Sequence, residues 1–216
     1  REKAIKEAIK NLLTGEILVV AGKGHENIQD YGNFKNFFSD KKCILKNIKQ
    51  KNKHLSKDLK LNILKEESGQ NHISLKTKLK YASINSKEIK KNDIFFAIKG
   101  KKKDGNQYLR EVFNKKASLA IVNKINKLEK KSKQIKVKNT LDFLTKTSSK
   151  VRENSSAKII AITGSCGKTS LKELIGMALN KICSVTYSRK SFNNKFGVPL
   201  SLFNLKTKDD FGVFEV

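Results

Sequence analysis

Residues Ile159–Ser170 read IIAITGSCGKTS. The run Ile159, Ile160, Ala161 and Ile162 has the length and composition of a buried strand. A glycine-bracketed turn, Gly164-Ser165-Cys166-Gly167, follows it directly. Lys168, Thr169 and Ser170 then open a stretch whose apolar spacing predicts a helix through Asn180. A strand, a tight glycine loop and a helix N-terminus make an anion site, because loop amides converge and the helix start carries about half a positive charge. Lys168 is placed to reach the outer phosphates of a nucleotide, and the Thr169 hydroxyl to ligate Mg²⁺. Gly164 to Ser170 is therefore the candidate ATP-binding segment. The common phosphate-loop spacing places a glycine five residues before Gly167, where this chain has Ile162. The loop is the shorter TGxxGKT form.

Downstream, Ser184 to Tyr187 reads as a strand. The run from Ser191 to Leu200 contains the pair Asn193-Asn194 and the chain's single proline, Pro199, which fits the first turn of a helix through Leu202. The two asparagines are suited either to binding phosphate or substrate, or to turn chemistry. Val213 to Val216 reads as a further strand carrying Glu215. An acid on an apolar strand is costly unless paired or bound to a ligand. An acid at a strand end after a phosphate loop is the usual second Mg²⁺ holder, which makes Lys168, Thr169 and Glu215 the catalytic candidates.

Upstream, strand-like runs at Ile94–Ile98, Leu119–Val122 and Ile135–Val137 alternate with helical patterns at 58–66, 107–116 and 140–153. That alternation predicts an α/β fold. Residues 2–13 have the spacing of an amphipathic helix. Ile17 to Ala21 reads as a short buried strand, and Gly22-Lys23-Gly24-His25-Glu26 stands at its end. Paired glycines admit close approach of a ligand to the backbone, and Glu26 can hold an ammonium group. A helix at 39–49, with Ser39 or Asp40 as its cap, leads to a lysine-rich stretch from Gln50 to about Leu55, where a domain boundary is placed.

The formal net charge is +27, from 47 Lys+Arg against 20 Asp+Glu. Only Arg1, Arg110, Arg152 and Arg189 are arginines, whereas base readout and bidentate phosphate recognition favour arginine. The lysines are spread along the chain, so they read as a solvated surface, and no nucleic acid is expected. Cys43, Cys166 and Cys183 are too dispersed for a zinc knuckle or a CxxC pair. With no long apolar run and no signal peptide, the expectation is a cytoplasmic protein without membrane insertion, and a monomer. The chain begins with Arg1 in a helical pattern and stops within a strand, and is expected to be a piece of a longer protein.

These residues together resemble the Mur ligase family, ATP-dependent amide ligases that build the peptidoglycan stem peptide. The segments that carry the resemblance are Asn85-Ser86-Lys87, Asp93–Gly100 (DIFFAIKG), Asp104-Gly105, Ala120–Val122, Thr163–Ser170, Phe192–Leu200 (FNNKFGVPL) and Phe214-Glu215. They match the N-terminal part of the member that adds D-alanyl-D-alanine to a UDP-N-acetylmuramoyl-tripeptide. Residues 1–53, with Arg1, VVAGKGHE (19–26) and FSD (38–40), resemble the C-terminal end of the member that adds the preceding diamino acid. The resemblance implies a UDP-substrate-binding domain over 54–153 and the start of an ATP-binding domain over 154–216. It also implies ATP and Mg²⁺ as cofactors, and Ser86, Asn193, Asn194, Gly22 and Glu26 as substrate-binding residues. Gly22 and Glu26 are expected at the far end of the diamino acid. Residues 1–216 alone are expected to be inactive. The competing expectations are another phosphate-loop kinase or NTPase, and a basic nucleic-acid-binding module.

Overall fold

The apolar runs at 94–97 and 119–122 form strands buried on both faces, which is the pattern of a parallel sheet covered by helices on each side. The structure is a computed structural model that describes residues 1–12, 16–22, 26–52, 58–74, 76–100, 103–188 and 192–216. The chain divides into two compact units, Arg1–Ser56 and Lys57–Val216.

In the first unit, helix α1 (Glu2–Asn11) packs against α2 (Asp40–Asn52), and a hairpin of β1 (Ile28–Asp30) and β2 (Lys35–Phe37) lies between them in sequence. Ile5, Ile9 and Cys43 form the buried core, with Leu18 and Val20 against it. The predicted strand at Ile17–Ala21 is a correction. Its side chains alternate as an extended chain does, with Ile17 and Val19 88% and 78% exposed. No strand among the described residues pairs with it, and without a ladder partner an extended run is not a strand. The hairpin was not predicted. Its strands are three residues long and polar, and its turn is held by Gly32 N–H donating to Asp30 Oδ1 at 2.9 Å and by stacking of Tyr31 on Phe34. The predicted helix at 39–49 matches α2, where Lys42 N–H donates to the Ser39 hydroxyl.

The second unit opens with α3 (Leu59–Ser68). Asp58 caps it by accepting from Lys60 N–H and Leu61 N–H, and Gly69 ends it at φ 64°, a left-handed position suited to glycine. A four-stranded parallel sheet follows in the order β3 (Ala82–Ser83), β4 (Ile94–Phe96), β5 (Leu119–Val122), β6 (Gln134–Lys136). Successive side chains on β4 and β5 point to opposite faces. Ile94, Phe96, Leu119 and Ile121 join Leu61, Leu64 and Leu144 from α3 and α5 (Thr140–Glu153). Phe95, Ala120 and Val122 instead join Leu109 and Val112 of α4 (Leu109–Asn114).

A second parallel sheet has the order β7 (Lys158–Ile162), β9 (Phe211–Glu215), β8 (Val185–Tyr187). Helix α6 (Lys168–Leu179) covers one face beside Val213. Helix α7 (Gly197–Phe203) lies on the other beside Phe214. The strand at Ile159–Ile162 is where it was predicted, but only Ile162 is fully buried. Among the described residues β7 lies at an edge of this sheet with β9 in the centre, and Ala161 is exposed.

The predicted boundary at 153/154 falls in the turn between α5 and β7. Side chains from both sides of it share one apolar cluster, with the Phe96 and Phe203 rings edge to face at 5.3 Å. Asn204 adds a polar tie. Its side-chain amide accepts from Ala82 N–H at 2.7 Å and donates to Ala82 C=O at 3.0 Å, as a neighbouring strand would.

Lys60, on α3, holds its ammonium 5.5 Å from the centre of the Phe203 ring. Burial pushes its pKa down from 10.5 to about 8, against the opposing pull of Asp58 and Asp209. Between those values the unfolded chain binds more protons than the folded one. This lysine therefore makes stability rise with pH through the window from about 8 to 10.5, and costs stability below it. Lys60→Met keeps the apolar stem and removes the charge. It is expected to raise the thermal midpoint at neutral pH by a few degrees, at roughly 2–4 °C per kcal/mol for a chain of this size. Denaturant unfolding at neutral pH and near pH 10 tests this: the gap between the two proteins must close at the higher pH, and an equal gap at both refutes it.

Candidate active site

Gly164 (φ 148°) and Gly167 (φ 74°) bend the chain from β7 into α6. Both values lie where a side chain is disfavoured, so these two positions require glycine. Among the described residues, the amides of Ser165, Cys166 and Gly167 have no backbone acceptor. The loop is exposed, and α6 begins at Lys168 immediately behind it. Exposed amides ahead of a 12-residue helix form a positive cradle. Lys168 is partly exposed, and its Nζ donates back across the loop to Gly164 C=O. Ser170 is exposed on the first turn of α6. Cys166 is an exposed free thiol.

The parallel register of β7 and β9 sets Glu215 beside Ile162, two residues before Gly164. The Glu215 side chain is only 2% exposed, and two groups meet it. The Thr169 hydroxyl donates to Oε2 at 2.8 Å, and the Asn193 amide donates to Oε1 at 2.8 Å. Three separate predictions thus converge on one spot: the phosphate-loop threonine, the strand-end acid and the first asparagine of the FNNKFGVPL run. A hydroxyl and a carboxylate are hard oxygen donors of the kind Mg²⁺ takes, usually one or two from protein and the rest from phosphate and water. The Thr169 hydroxyl and the Glu215 carboxylate set two such oxygens side by side, so the pair fits such an ion.

Asn194 plays a different part. Its side-chain oxygen accepts from Phe196 N–H and Gly197 N–H, both at 3.0 Å, and so sets up the first turn of α7. Of the pair, Asn193 donates to Glu215, while Asn194 builds the turn. The structural constraint on Gly197 is equally local, since an added Cβ meets Phe192 backbone at 2.6 Å.

Ser86 lies after β3, in a 3-10 turn, and is 7% exposed. Its hydroxyl donates to Glu111 Oε2 at 2.9 Å, while Lys115 donates to Glu111 Oε1 and to the Ser86 carbonyl. The Lys115 and Ser86 hydrogen bonds hold the Glu111 carboxyl below its ordinary range. Among the described residues, the hydrogen bonds of the Ser86 side chain and carbonyl go to Glu111 and Lys115 rather than to the phosphate loop. Gly22 (φ 102°) and Glu26 are each exposed in the first unit, and Lys23 to His25 between them fall outside the described residues. The Arg1 guanidinium donates through Nε to Asp40 at 2.8 and 3.1 Å and through Nη2 to Ala21 C=O, next to Gly22, at 2.9 Å. The hydrogen bond to Asp40 raises the Arg1 pKa further. Sequence reasoning grouped Arg1 with the FSD motif only by resemblance, because 39 residues separate Arg1 from Asp40. It missed the partnership of Asn193 with Glu215 for the same reason. No helix among the described residues is long and apolar enough to cross a membrane.

Residues 162–216 match the Mur ligase middle domain. The UDP-N-acetylmuramoyl-tripeptide–D-alanyl-D-alanine ligase of Rickettsia prowazekii (strain Madrid E) is 40% identical over 133 residues, covering 62% of this chain and 29% of that protein. The UDP-N-acetylmuramoyl-L-alanyl-D-glutamate–2,6-diaminopimelate ligase of Rickettsia felis is 37% identical over 100 residues, covering 46% of this chain and 19% of that protein. Among solved structures, the UDP-N-acetylmuramoylalanyl-D-glutamyl-2,6-diaminopimelate–D-alanyl-D-alanyl ligase of Acinetobacter baumannii aligns with a TM-score of 0.59 at 28% identity, covering 72% of this chain and 35% of that one. The chain spans less than a third of the length of the first two relatives. The α/β fold with parallel sheets is that of part of a Mur ligase.

Proposed function

We propose that this chain is part of an ATP-dependent amide ligase that joins D-alanyl-D-alanine to a UDP-N-acetylmuramoyl-tripeptide in the cytoplasm. We further propose that residues 1–53 are the end of the ligase that adds the preceding diamino acid, fused ahead of it. The observation that carries the first reading is the hydrogen-bonded set Thr169–Glu215–Asn193 at the mouth of the Gly164–Gly167 loop. A phosphate cradle alone suits many nucleotide enzymes. A buried acid shared between the loop threonine and the asparagine of an FNNxxGVPL run suits this ligase, and a relative of that name shares 40% of 133 aligned residues.

In this reading the amides of Ser165 to Gly167 and the Lys168 ammonium hold the outer phosphates of ATP and stabilise charge on the transferring group. The tripeptide's terminal carboxylate takes the γ-phosphoryl to form an acyl phosphate. The amine of D-alanyl-D-alanine then attacks that carbonyl, and inorganic phosphate leaves. Thr169 and Glu215 are the residues that would hold Mg²⁺, which when bound neutralises phosphate charge. Asn193 fixes the orientation of Glu215 and borders the path of the substrate. Ser86, in the 54–153 domain, binds toward the UDP end, and Asn194 acts through the turn it builds. Gly22 and Glu26 serve the diamino acid in the fused partner's site. The 154–216 segment is the start of the ATP-binding domain, and the complete protein is a monomer.

The test is phosphate release by the complete protein. With Mg-ATP, UDP-linked tripeptide and D-alanyl-D-alanine together, release is expected, and omission of any one silences it. ATP turnover without the peptide substrates would sink the ligase reading. In a second arm, UDP-linked dipeptide plus the diamino acid is expected to give release as well. Silence in that arm alone removes the fused first half and leaves the rest.

A further inference from the structure

We propose that Asn204 is a positioning residue for the ligase reaction: by pairing with the outer edge of β3 it holds the Ser86 region in register with the Thr169–Glu215–Asn193 set. The role rests on the ligase reading, in which those two places bind the UDP-linked tripeptide and Mg-ATP. The side-chain hydrogen bonds of Asn204 go to Ala82 rather than to either site, so it acts through what it ties together.

Helix α7 is anchored at both ends. Ahead of its first turn, Asn194 accepts from Phe196 N–H and Gly197 N–H, and Asn193 beside it donates to Glu215 at 2.8 Å. At the far end Asn204 is the cap residue, its N–H donating to Leu200 C=O and Ser201 C=O, so the direction of its side chain follows the helix. The seven residues Gly197–Phe203 separate the two ends, about 10 Å at the usual rise per residue. The Asn204 amide then reaches Ala82, from which the chain runs through Ser83 into the turn that carries Ser86. One helix, packed along α5, therefore joins the acid of the proposed Mg²⁺ site to the strand that leads to Ser86.

The apolar contacts at the same boundary, Phe96 against Phe203 among them, favour proximity but no particular register, because hydrophobic attraction is non-directional. A donor and an acceptor on one planar amide are directional. They fit a residue whose N–H and C=O both point out of the sheet edge, and on a strand the next such residue is two positions away, about 6.6 Å. Asn204 thus selects Ala82 and fixes where along β3 the end of α7 sits. The opposite edge of the same sheet offers a contrast. There Gln70 pairs with Lys136 of β6 in the same manner, donating to its C=O at 2.6 Å and accepting from its N–H at 3.2 Å. Gln70 follows α3 and ties β6 to a neighbouring segment, not to α7. A misplacement of about 1 Å between reacting groups can cost about 10²-fold in rate, and the Asn204 pair lies where it can prevent one.

The experiment uses the complete protein with the single changes Asn204→Leu and Gln70→Leu, each of which removes one amide pair and keeps most of the side-chain volume. Calorimetry gives Kd for Mg-ATP and for the UDP-linked tripeptide separately, and phosphate release with all three substrates saturating gives kcat. For Asn204→Leu, kcat is expected to fall about tenfold or more while both Kd values stay within about threefold of wild type, since each half-site is intact and their mutual placement is lost. Gln70→Leu is expected to leave kcat within about twofold. Asn204→Asp keeps the shape and the acceptor for Ala82 N–H. Its kcat is expected between those of wild type and Asn204→Leu, and it is read by the same criteria if Asn204→Leu does not fold. An Asn204→Leu kcat close to wild type, an equal loss in Gln70→Leu, or a kcat loss matched by weaker Mg-ATP binding overturns the proposal. Wild-type protein that releases no phosphate with all three substrates sinks the ligase reading and this role with it. An active wild type with an unaffected Asn204→Leu sinks the role alone.

Discussion

If the proposed function holds, replacing Lys168 with alanine is expected to lower phosphate release by the complete protein about 10²–10³-fold while leaving the fold intact. The magnitude follows from removing one preorganised donor at a charge-developing centre, which costs about 2.7–4 kcal/mol. Lys168 is suited to that role by its place at the N-terminus of α6, where its charge adds to the helix dipole and to the exposed loop amides. Its Nζ donates to Gly164 C=O, a contact within the loop itself. Truncation of a partly exposed side chain of this kind changes stability by about 0.5 kcal/mol or less. The two readouts are therefore turnover and thermal midpoint, and they must separate. Turnover within threefold of wild type would remove Lys168 from the reaction. A midpoint lowered by several degrees would show that the lysine serves the fold instead.

That separation reflects how much of the site could be read from the chain. The loop, the lysine and the threonine are contiguous, so their relation is carried by local sequence, and Gly164 and Gly167 adopt the conformations that only glycine takes readily. The alternation of β4 and β5 between two apolar clusters was legible for the same reason, since four consecutive buried residues specify a strand covered on both faces. What was not legible depends on sheet order. Ile159 to Ile162 is as apolar as Leu119 to Val122, yet it forms an edge strand, because β9, more than 45 residues later, takes the central place. The Ile17–Ala21 run fails as a strand through lack of a ladder partner, a fact that no local pattern encodes. The pairing of Asn204 with Ala82 gave no signal at all, because 122 residues separate the two.

Glu215 is where sequence and structure meet, and replacing it should separate stability from function in opposite directions. The side chain is 2% exposed and its two contacts are a neutral hydroxyl and a neutral amide, with no ion pair among the described residues. A buried carboxylate so placed is costly to the fold, and a cation is the group that offsets the cost. Glu215→Gln keeps the volume and one acceptor oxygen while removing the charge. It is expected to leave the thermal midpoint of the metal-free protein unchanged or higher, and to lower Mg²⁺-dependent phosphate release by about 10²-fold or more, in line with the several kcal/mol a metal contributes. Glu215→Ala removes both acceptor oxygens, so the Asn193 amide loses its partner at a cost of about 1–3 kcal/mol, and the midpoint falls. Raising Mg²⁺ is expected to recover part of the glutamine variant's activity, because the remaining oxygen and Thr169 still offer a weakened site. Glutamine activity equal to wild type at ordinary Mg²⁺ would take the metal away from Glu215. A midpoint that drops as far for glutamine as for alanine would mean that the charge itself holds β9 in place, and that the acid belongs to the fold rather than to the chemistry.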